Sequence, residues 1–164
     1  PSDIEEEFGS RIKYVLNGGK SEIGVESTIL NLLKKPTLLR YGGLDTKKIE
    51  KVLKEKILIK SNSKNKISPG LFPLHYSPGI PLRTNVKKPK DNEAFLLIKK
   101  RKSNLKNYYY LTKVKNIEEA AKNLYSTLRK IKNDGFEKIA VEKIPNKGLG
   151  KTINDRLKRA SKYK

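Results

Sequence analysis

Apolar residues in the first third of the chain occur in short runs that are separated by turn residues. Two such runs, 27–33 and 37–40, flank the turn sequence Lys34-Lys35-Pro36. Leucine and branched residues between turn signals are typical of strands, so these runs predict a β-hairpin with apolar side chains on its buried face. The surrounding sequence predicts a short helix ending near Gly9, a helix from Lys47 to Leu53 capped by Asp45, and a strand at 57–59.

From about Asn92 onward the pattern changes to strands that alternate with helices. The predicted elements are strands at 94–98 and 108–111, a helix at 117–131, a strand at 136–141 and a helix from 152 to about 161. The helix at 117–131 has the clearest signal, because Ala120, Leu124 and Leu128 recur at helical spacing behind the cap residue Asn116. This alternation predicts a small open α/β sheet.

A proline-containing segment joins the two regions. Residues 68–78 hold three prolines and the one histidine of the chain, His75. Each proline fixes φ at about −65° and favours an extended conformation in the residue before it. We therefore expect a stiff, extended strap, which serves either as a rigid linker or as a segment that closes over a ligand.

The amino-acid composition limits the classes of function that this chain could have. The net charge of +21 favours polyanionic partners such as RNA, nucleotides or an acidic membrane surface. Lysine greatly exceeds arginine, so compositional bias remains the alternative explanation. The lack of cysteine excludes disulfides and a thiolate nucleophile. No apolar run approaches the roughly 20 residues that span a bilayer, and a cytoplasmic location is expected. Since methionine is absent even at position 1, we expect the chain to start inside a longer protein or to have been trimmed.

Two short motifs in the first region could bind a ligand. Gly24-Val25-Glu26-Ser27-Thr28 enters the first strand and offers hydroxyls and a carboxylate to a small polar ligand. Arg40 precedes Tyr41-Gly42-Gly43 at a strand end, where a guanidinium can reach a phosphate. The alternatives are an ordinary strand start and a surface salt bridge.

Near the C-terminus, Gly148-Leu149-Gly150 has half of a phosphate-binding turn, but it lacks the full glycine fingerprint and predicts packing at a helix start. Asn154-Asp155-Arg156 predicts local capping and packing, with a partner contact as the alternative. No nucleophile with a neighbouring base can be assembled from one histidine and no cysteine. Any chemistry would rest on positioning and electrostatics, as in nucleotidyl transfer.

Taken in order, these motifs, together with His75-Tyr76-Ser77-Pro78 and Ile153-Asn154-Asp155-Arg156-Leu157, resemble the long form of threonylcarbamoyl-AMP synthase. The resemblance implies an α/β fold with three parts: the C-terminal part of a YrdC-type twisted-sheet domain at 1–60, an extended linker over the active site at 61–83, and a small Rossmann-like α/β/α domain at 84–164. Tyr41 stands where the family usually has proline, and Asn31 where aspartate is common. The motifs of the family's N-terminal half are not in this chain.

The resemblance implies a nucleotidyltransferase that makes threonylcarbamoyl-adenylate from L-threonine, bicarbonate and ATP for tRNA modification, with the tRNA-modification machinery as partner. It assigns Ser27 to L-threonine, and Ser2, Arg40 and Tyr76 to ATP. It assigns no catalytic residue and no metal site to this chain; a divalent cation such as magnesium is expected to accompany ATP. The chain alone is expected to be inactive. The alternatives are a non-catalytic basic module that positions tRNA and a structural remnant whose other half is supplied in trans or lost.

Overall fold

The first region folds around a small three-stranded sheet. The computed structural model describes residues 1–59, 76–103 and 105–162, with all side chains there except those of Ser2 and Asp3. The elements of this region are helix α1 (Ser2–Phe8), a 3₁₀ turn (Gly9–Arg11), strands β1 (Ile29–Asn31) and β2 (Thr37–Arg40), helix α2 (Thr46–Leu53) and strand β3 (Leu58–Ile59). β1 pairs antiparallel with β2, and β3 pairs parallel with β2. The predicted hairpin, both helices and the third strand are thus confirmed.

Local hydrogen bonds explain why these elements begin and turn where they do. The Asp45 side chain accepts from the backbone N–H of Lys47 at 3.0 Å and caps α2. Asn31 Oδ1 accepts from the backbone N–H of Leu33 at 2.9 Å at the hairpin turn. This role needs only a side-chain oxygen, which asparagine and aspartate both supply.

The second region is a four-stranded parallel sheet covered by two helices. Its elements are β4 (Leu82–Arg83), β5 (Ala94–Lys99), β6 (Tyr108–Thr112), α3 (Ile117–Asn133), β7 (Ile139–Val141) and α4 (Leu149–Ala160). The strand order is β4-β7-β5-β6, and every pair is parallel. The predicted mixed α/β class with a Rossmann-like parallel sheet is confirmed.

The main core lies between this sheet and one helical layer. Ala120, Leu124 and Leu128 of α3 and Ile153 and Leu157 of α4 belong to one buried cluster with the facing strand residues. The opposite face of the sheet has a smaller cluster built on Phe95, Leu97 and Ala140. Both helices therefore pack on the same face of the sheet.

The structure differs from the predicted elements at several ends. β1 is shorter than the predicted run 27–33, because Ser27 accepts from the Arg40 side chain at the end of β2 and Thr28 bonds to Leu44 beyond it, instead of extending the ladder. β7 starts later than predicted, since Phe136 packs edge-to-face on Tyr109, with ring centroids 5.7 Å apart. α4 begins at Leu149, three residues before the predicted start at 152.

The predicted linker is only partly within the described residues. Most of the strap, including His75, lies outside them, so its extended conformation stays a prediction. Leu82 and Arg83, at the end of the predicted linker, form the edge strand β4 and pair with Ile139 and Ala140. Two residues are too few to show the alternation that identifies a strand in sequence.

Candidate functional site

Ser27 and Arg40 form one hydrogen-bonded unit across the hairpin. Arg40 ends β2, is 8% exposed, and donates from Nε and Nη2 to the backbone oxygen of Ser27 at 3.1 and 3.0 Å. Nη2 also lies 3.2 Å from Ser27 Oγ, to which it donates. The buried residues of β2 are Leu38 and Arg40, so a charged residue stands where an apolar one was predicted. Arg40 thereby fixes the loop that presents the exposed Ser27 side chain.

The glycines after Arg40 allow this loop to approach closely. A Cβ on Gly42 would lie 2.1 Å from the Ser27 carbonyl carbon and from the Thr28 nitrogen. The Gly43 N–H donates to the Glu26 carbonyl at 2.8 Å, and the Thr28 hydroxyl donates to the Leu44 carbonyl at 2.7 Å. The two motifs that the sequence presented separately are therefore a single structural unit.

Tyr76, from the end of the strap, is buried beside this unit. Its ring stacks on Tyr125 of α3, with centroids 5.8 Å apart and planes inclined by 22°. The guanidinium carbon of Arg156 lies 4.6 Å from the centroid of the Tyr76 ring. Burial raises the pKa of the Tyr76 hydroxyl; the nearby charges of Arg156 and Arg40 lower it, and that of Glu26 raises it further. Tyr76 thus lies within electrostatic reach of the Glu26–Ser27 loop and of Arg40.

The Arg156 side chain contacts Glu26 of the first region, whereas the sequence favoured local capping and packing for it. It is 1% exposed, and its Nη2 donates to Glu26 Oε2 at 2.9 Å while Nη1 donates to Asp155 Oδ2 at 2.9 Å. A sequence signal existed: Arg156 lies in the apolar stripe of α4 between Ile153 and Leu157. A charge in a buried stripe requires a partner, and here the partner comes from the first region.

The Glu26 carboxylate therefore binds other side chains of this protein. Burial acts to raise the pKa of Glu26, but its hydrogen bonds and the charge of Arg156 together lower it below the usual value. The Tyr125 hydroxyl also donates to Glu26 Oε2, at 3.5 Å. The sequence had offered this carboxylate to a ligand, and the structure pairs it with Arg156 instead.

Two further contacts join the regions at the same place. A Cβ on Gly24 would lie 2.3 Å from the Cα of Lys122, so the glycine permits close approach to α3. The Thr152 hydroxyl of α4 donates to the Gly42 carbonyl at 2.8 Å in a buried hydrogen bond. Tyr41, which replaces the family's proline, is half-buried, and burial followed by the charge of Asp155 raises its pKa.

The structure thus brings Ser27, Arg40 and Tyr76 together. Ser2 belongs to α1, but its side chain lies outside the described part of the chain, so its predicted contact with ATP stays a prediction.

A separate cleft of about 490 Å³ lies where α2, α3 and α4 begin. The cleft is lined by four acidic residues, Glu22, Asp45, Glu118 and Glu119, and by two basic residues, Lys48 and Lys122. Within residues 1–59, 76–103 and 105–162, no group of three or more carboxylates or histidines is placed to hold a metal ion. Among the helices described, none is long and apolar enough to cross a membrane.

Comparison with known families identifies the larger part of the chain. Residues 44–162 match the family model described as threonylcarbamoyl-AMP synthase, C-terminal domain. The chain belongs to this family. The match includes Tyr76, Tyr125 and Arg156, whereas Ser27 and Arg40 precede it.

Curated relatives extend the similarity to nearly all of the chain. It is 33% identical to the threonylcarbamoyl-AMP synthase of Pyrococcus abyssi over 98% of this chain and 53% of that protein. It is 29% identical to the synthase of the same name from Bacillus subtilis, over 96% of this chain and 51% of that protein. The chain thus spans about half the length of these relatives, and it matches their C-terminal part.

Two solved structures show the same fold. The crystal structure of P. abyssi Sua5 complexed with L-threonine has a TM-score of 0.79 and 32% identity, covering 98% of this chain and 52% of that one. A P. abyssi Sua5 variant with alanine in place of an adjacent histidine and tyrosine has a TM-score of 0.69 and 30% identity, covering 89% of this chain and 47% of that one.

Proposed function

We propose that this chain supplies part of the active site of an L-threonylcarbamoyladenylate synthase, which converts L-threonine, bicarbonate and ATP to threonylcarbamoyl-AMP and pyrophosphate. The observation that carries the proposal is the cluster of Ser27, Arg40 and Tyr76, drawn from three separate segments: Arg40 bonds to Ser27, and Arg156 contacts both the Tyr76 ring and the neighbouring Glu26. Its support from relatives is the P. abyssi structure that binds L-threonine.

In this proposal Ser27 contacts L-threonine, because its exposed hydroxyl suits a small polar ligand. Arg40, Tyr76 and Ser2 contact ATP. Arg40 contributes a permanent positive charge, and Tyr76 contributes a phenol held in place by Arg156 and Tyr125. Nucleotidyl transfer develops charge on phosphate oxygens, so fixed cations and hydrogen-bond donors accelerate it without a protein nucleophile. The Tyr76 strap would also keep water from the intermediate.

We expect a divalent cation such as magnesium to arrive with ATP. The described residues have no cluster of three or more carboxylates or histidines placed to hold it, so the cation would be held outside them or by ATP itself. The product would pass to the tRNA-modification machinery in the cytoplasm. The basic surface remains an expected contact for tRNA, and net charge is its only support.

The test joins the N-terminal half of the P. abyssi synthase to residue 1 and measures the KM for each substrate. Ser27→Ala should raise the KM for L-threonine and leave that for ATP nearly unchanged. Arg40→Ala should raise the KM for ATP, with a charge-assisted contact of about 1.5–3 kcal/mol at stake. It should also raise the KM for L-threonine, because Arg40 holds Ser27.

The matched control is Lys51→Ala, which removes an exposed cation from α2. This variant should keep both KM values. If Arg40→Ala leaves the KM for ATP unchanged, the arginine does not belong to the nucleotide site and its proposed role is wrong.

A further inference from the structure

Tyr76 is contacted by two side chains of the second region. Tyr125 of α3 stacks on one side of the ring at 5.8 Å, and the Arg156 guanidinium of α4 lies 4.6 Å from the ring centroid. A guanidinium at this distance from an aromatic ring is attracted by the ring's quadrupole. The position of the strap residue therefore depends on two side chains that the proposed substrate contacts do not include.

The same guanidinium also holds the residue next to Ser27. Arg156 Nη2 donates to Glu26 Oε2 at 2.9 Å, and the Glu26 carbonyl accepts from the Gly43 N–H at 2.8 Å. Glu26 is thus fixed at both its side chain and its backbone. Because Ser27 follows directly, its location is determined from α4 as well as from Arg40.

We infer that Arg156 is a positioning residue that holds Tyr76 and the Glu26–Ser27 loop at a fixed position relative to each other. The inference rests on the proposed function for the substrates of these two positions. Arg156 itself would touch neither substrate. It would explain why a charged residue, Arg156, lies between Ile153 and Leu157 on the buried face of α4.

The surroundings of Arg156 favour a role for its charge over simple packing. Two carboxylates accept from its Nη atoms, and its Nε has no hydrogen-bond partner among the described residues. Burying a charge costs free energy that an apolar residue of similar length would avoid. A space-filling role would therefore be better served by methionine, and this difference makes the inference testable.

The first measurement uses the whole chain and does not depend on synthase activity. The sequence has no tryptophan, so Tyr76→Trp introduces a single tryptophan at the strap position, which can be excited selectively in the presence of the tyrosines. In this background Arg156→Met removes the charge while keeping the packing, and Arg156→Lys restores a charge. We expect Arg156→Met to shift the emission to longer wavelength and increase acrylamide quenching. Arg156→Lys should fall between it and the parent.

The matched control is Arg159→Met, because Arg159 lies on the same helix and pairs with the same Asp155, at 3.1 Å. The control should leave the emission unchanged. The same variants without the tryptophan allow hydrogen exchange at the Gly43 amide, which should accelerate in Arg156→Met. Equal emission and exchange in Arg156→Met and the parent, or equal shifts in both methionine variants, would overturn the inference.

The second measurement uses the joined synthase described above. Arg156→Met should raise the KM for L-threonine about tenfold while kcat changes less, since binding geometry rather than a reacting group is altered. An unchanged KM in an active enzyme would overturn the positioning role. If the joined protein proves to have no synthase activity, the proposed function fails, and the fluorescence and exchange results still decide the role of Arg156.

Discussion

Replacing Gly42 with alanine tests how tightly the two ligand-site motifs are joined. The added Cβ would lie 2.1 Å from the Ser27 carbonyl carbon and the Thr28 nitrogen and 2.4 Å from the Ser27 oxygen. Favourable contacts between carbon atoms begin at about 3.5 Å, so these backbone atoms must move by more than about 1 Å. The atoms that this Cβ would meet are all backbone atoms of Ser27 and Thr28, so rotation of a side chain cannot relieve the clash.

The cost follows from what this movement disturbs. Overpacking of a tight site costs about 1–3 kcal/mol. The displaced Ser27 carbonyl also accepts two hydrogen bonds from Arg40, and the Gly42 carbonyl accepts from Thr152. Each such bond contributes about 1 kcal/mol net, so partial loss brings the expected destabilisation to about 2–4 kcal/mol.

Urea unfolding followed by circular dichroism measures this change in the free energy of unfolding. The control is Gly18→Ala, because a Cβ on Gly18 meets no atom within 4 Å. The control should lie within about 0.5 kcal/mol of the parent. A Gly42→Ala protein as stable as Gly18→Ala would refute the close contact between the motifs.

Two other predictions concern the second region. Leu124→Ala in the fully buried core should lower the free energy of unfolding by about 2–5 kcal/mol. The control Leu16→Ala, at a 95% exposed position, should change it little. Equal shifts of the urea midpoint in the two variants would contradict the assigned core. The hydrogen bond from Arg83 holds the pKa of Glu93 below its usual value. The ionised Glu93 side chain therefore stabilises the folded state at pH values above its unfolded-state pKa, and this stabilisation is lost as the pH falls through its folded-state pKa. Thermal unfolding of Glu93→Gln between pH 6 and pH 3 should therefore depend less on pH than that of the parent, and an identical dependence would remove this pair from the account.

Local signals explain what the sequence predicted well. α2 and α3 were predicted with their caps because Asp45 and Asn116 bond to backbone N–H groups two or three residues away. Leu82–Arg83 was missed as a strand, because its existence depends on the distant partner Ile139 rather than on its own pattern.

The candidate site shows the same division between local and distant contacts. Ser27 and Arg40 were both singled out, but their mutual hydrogen bonds depend on the register of the hairpin. Gly24 was singled out as part of a ligand-binding motif, whereas in the structure it permits close approach to the backbone of α3 at Lys122. The apolar stripe of α4 signals that Arg156 needs a buried partner, but no local pattern identifies Glu26, which lies 130 positions away in the chain.

In the proposed function, this chain provides Ser27, Arg40 and Tyr76 to a synthase site that residues outside it complete. Pyrophosphate release that depends on both L-threonine and bicarbonate tests this claim most directly, measured for the chain alone and for the chain joined to the N-terminal half of the P. abyssi synthase. We expect release from the joined protein and none from the chain alone, because the other phosphate contacts are expected in the N-terminal half of the relatives, which this chain does not cover. Release by the chain alone, or none from a folded joined protein, would contradict it.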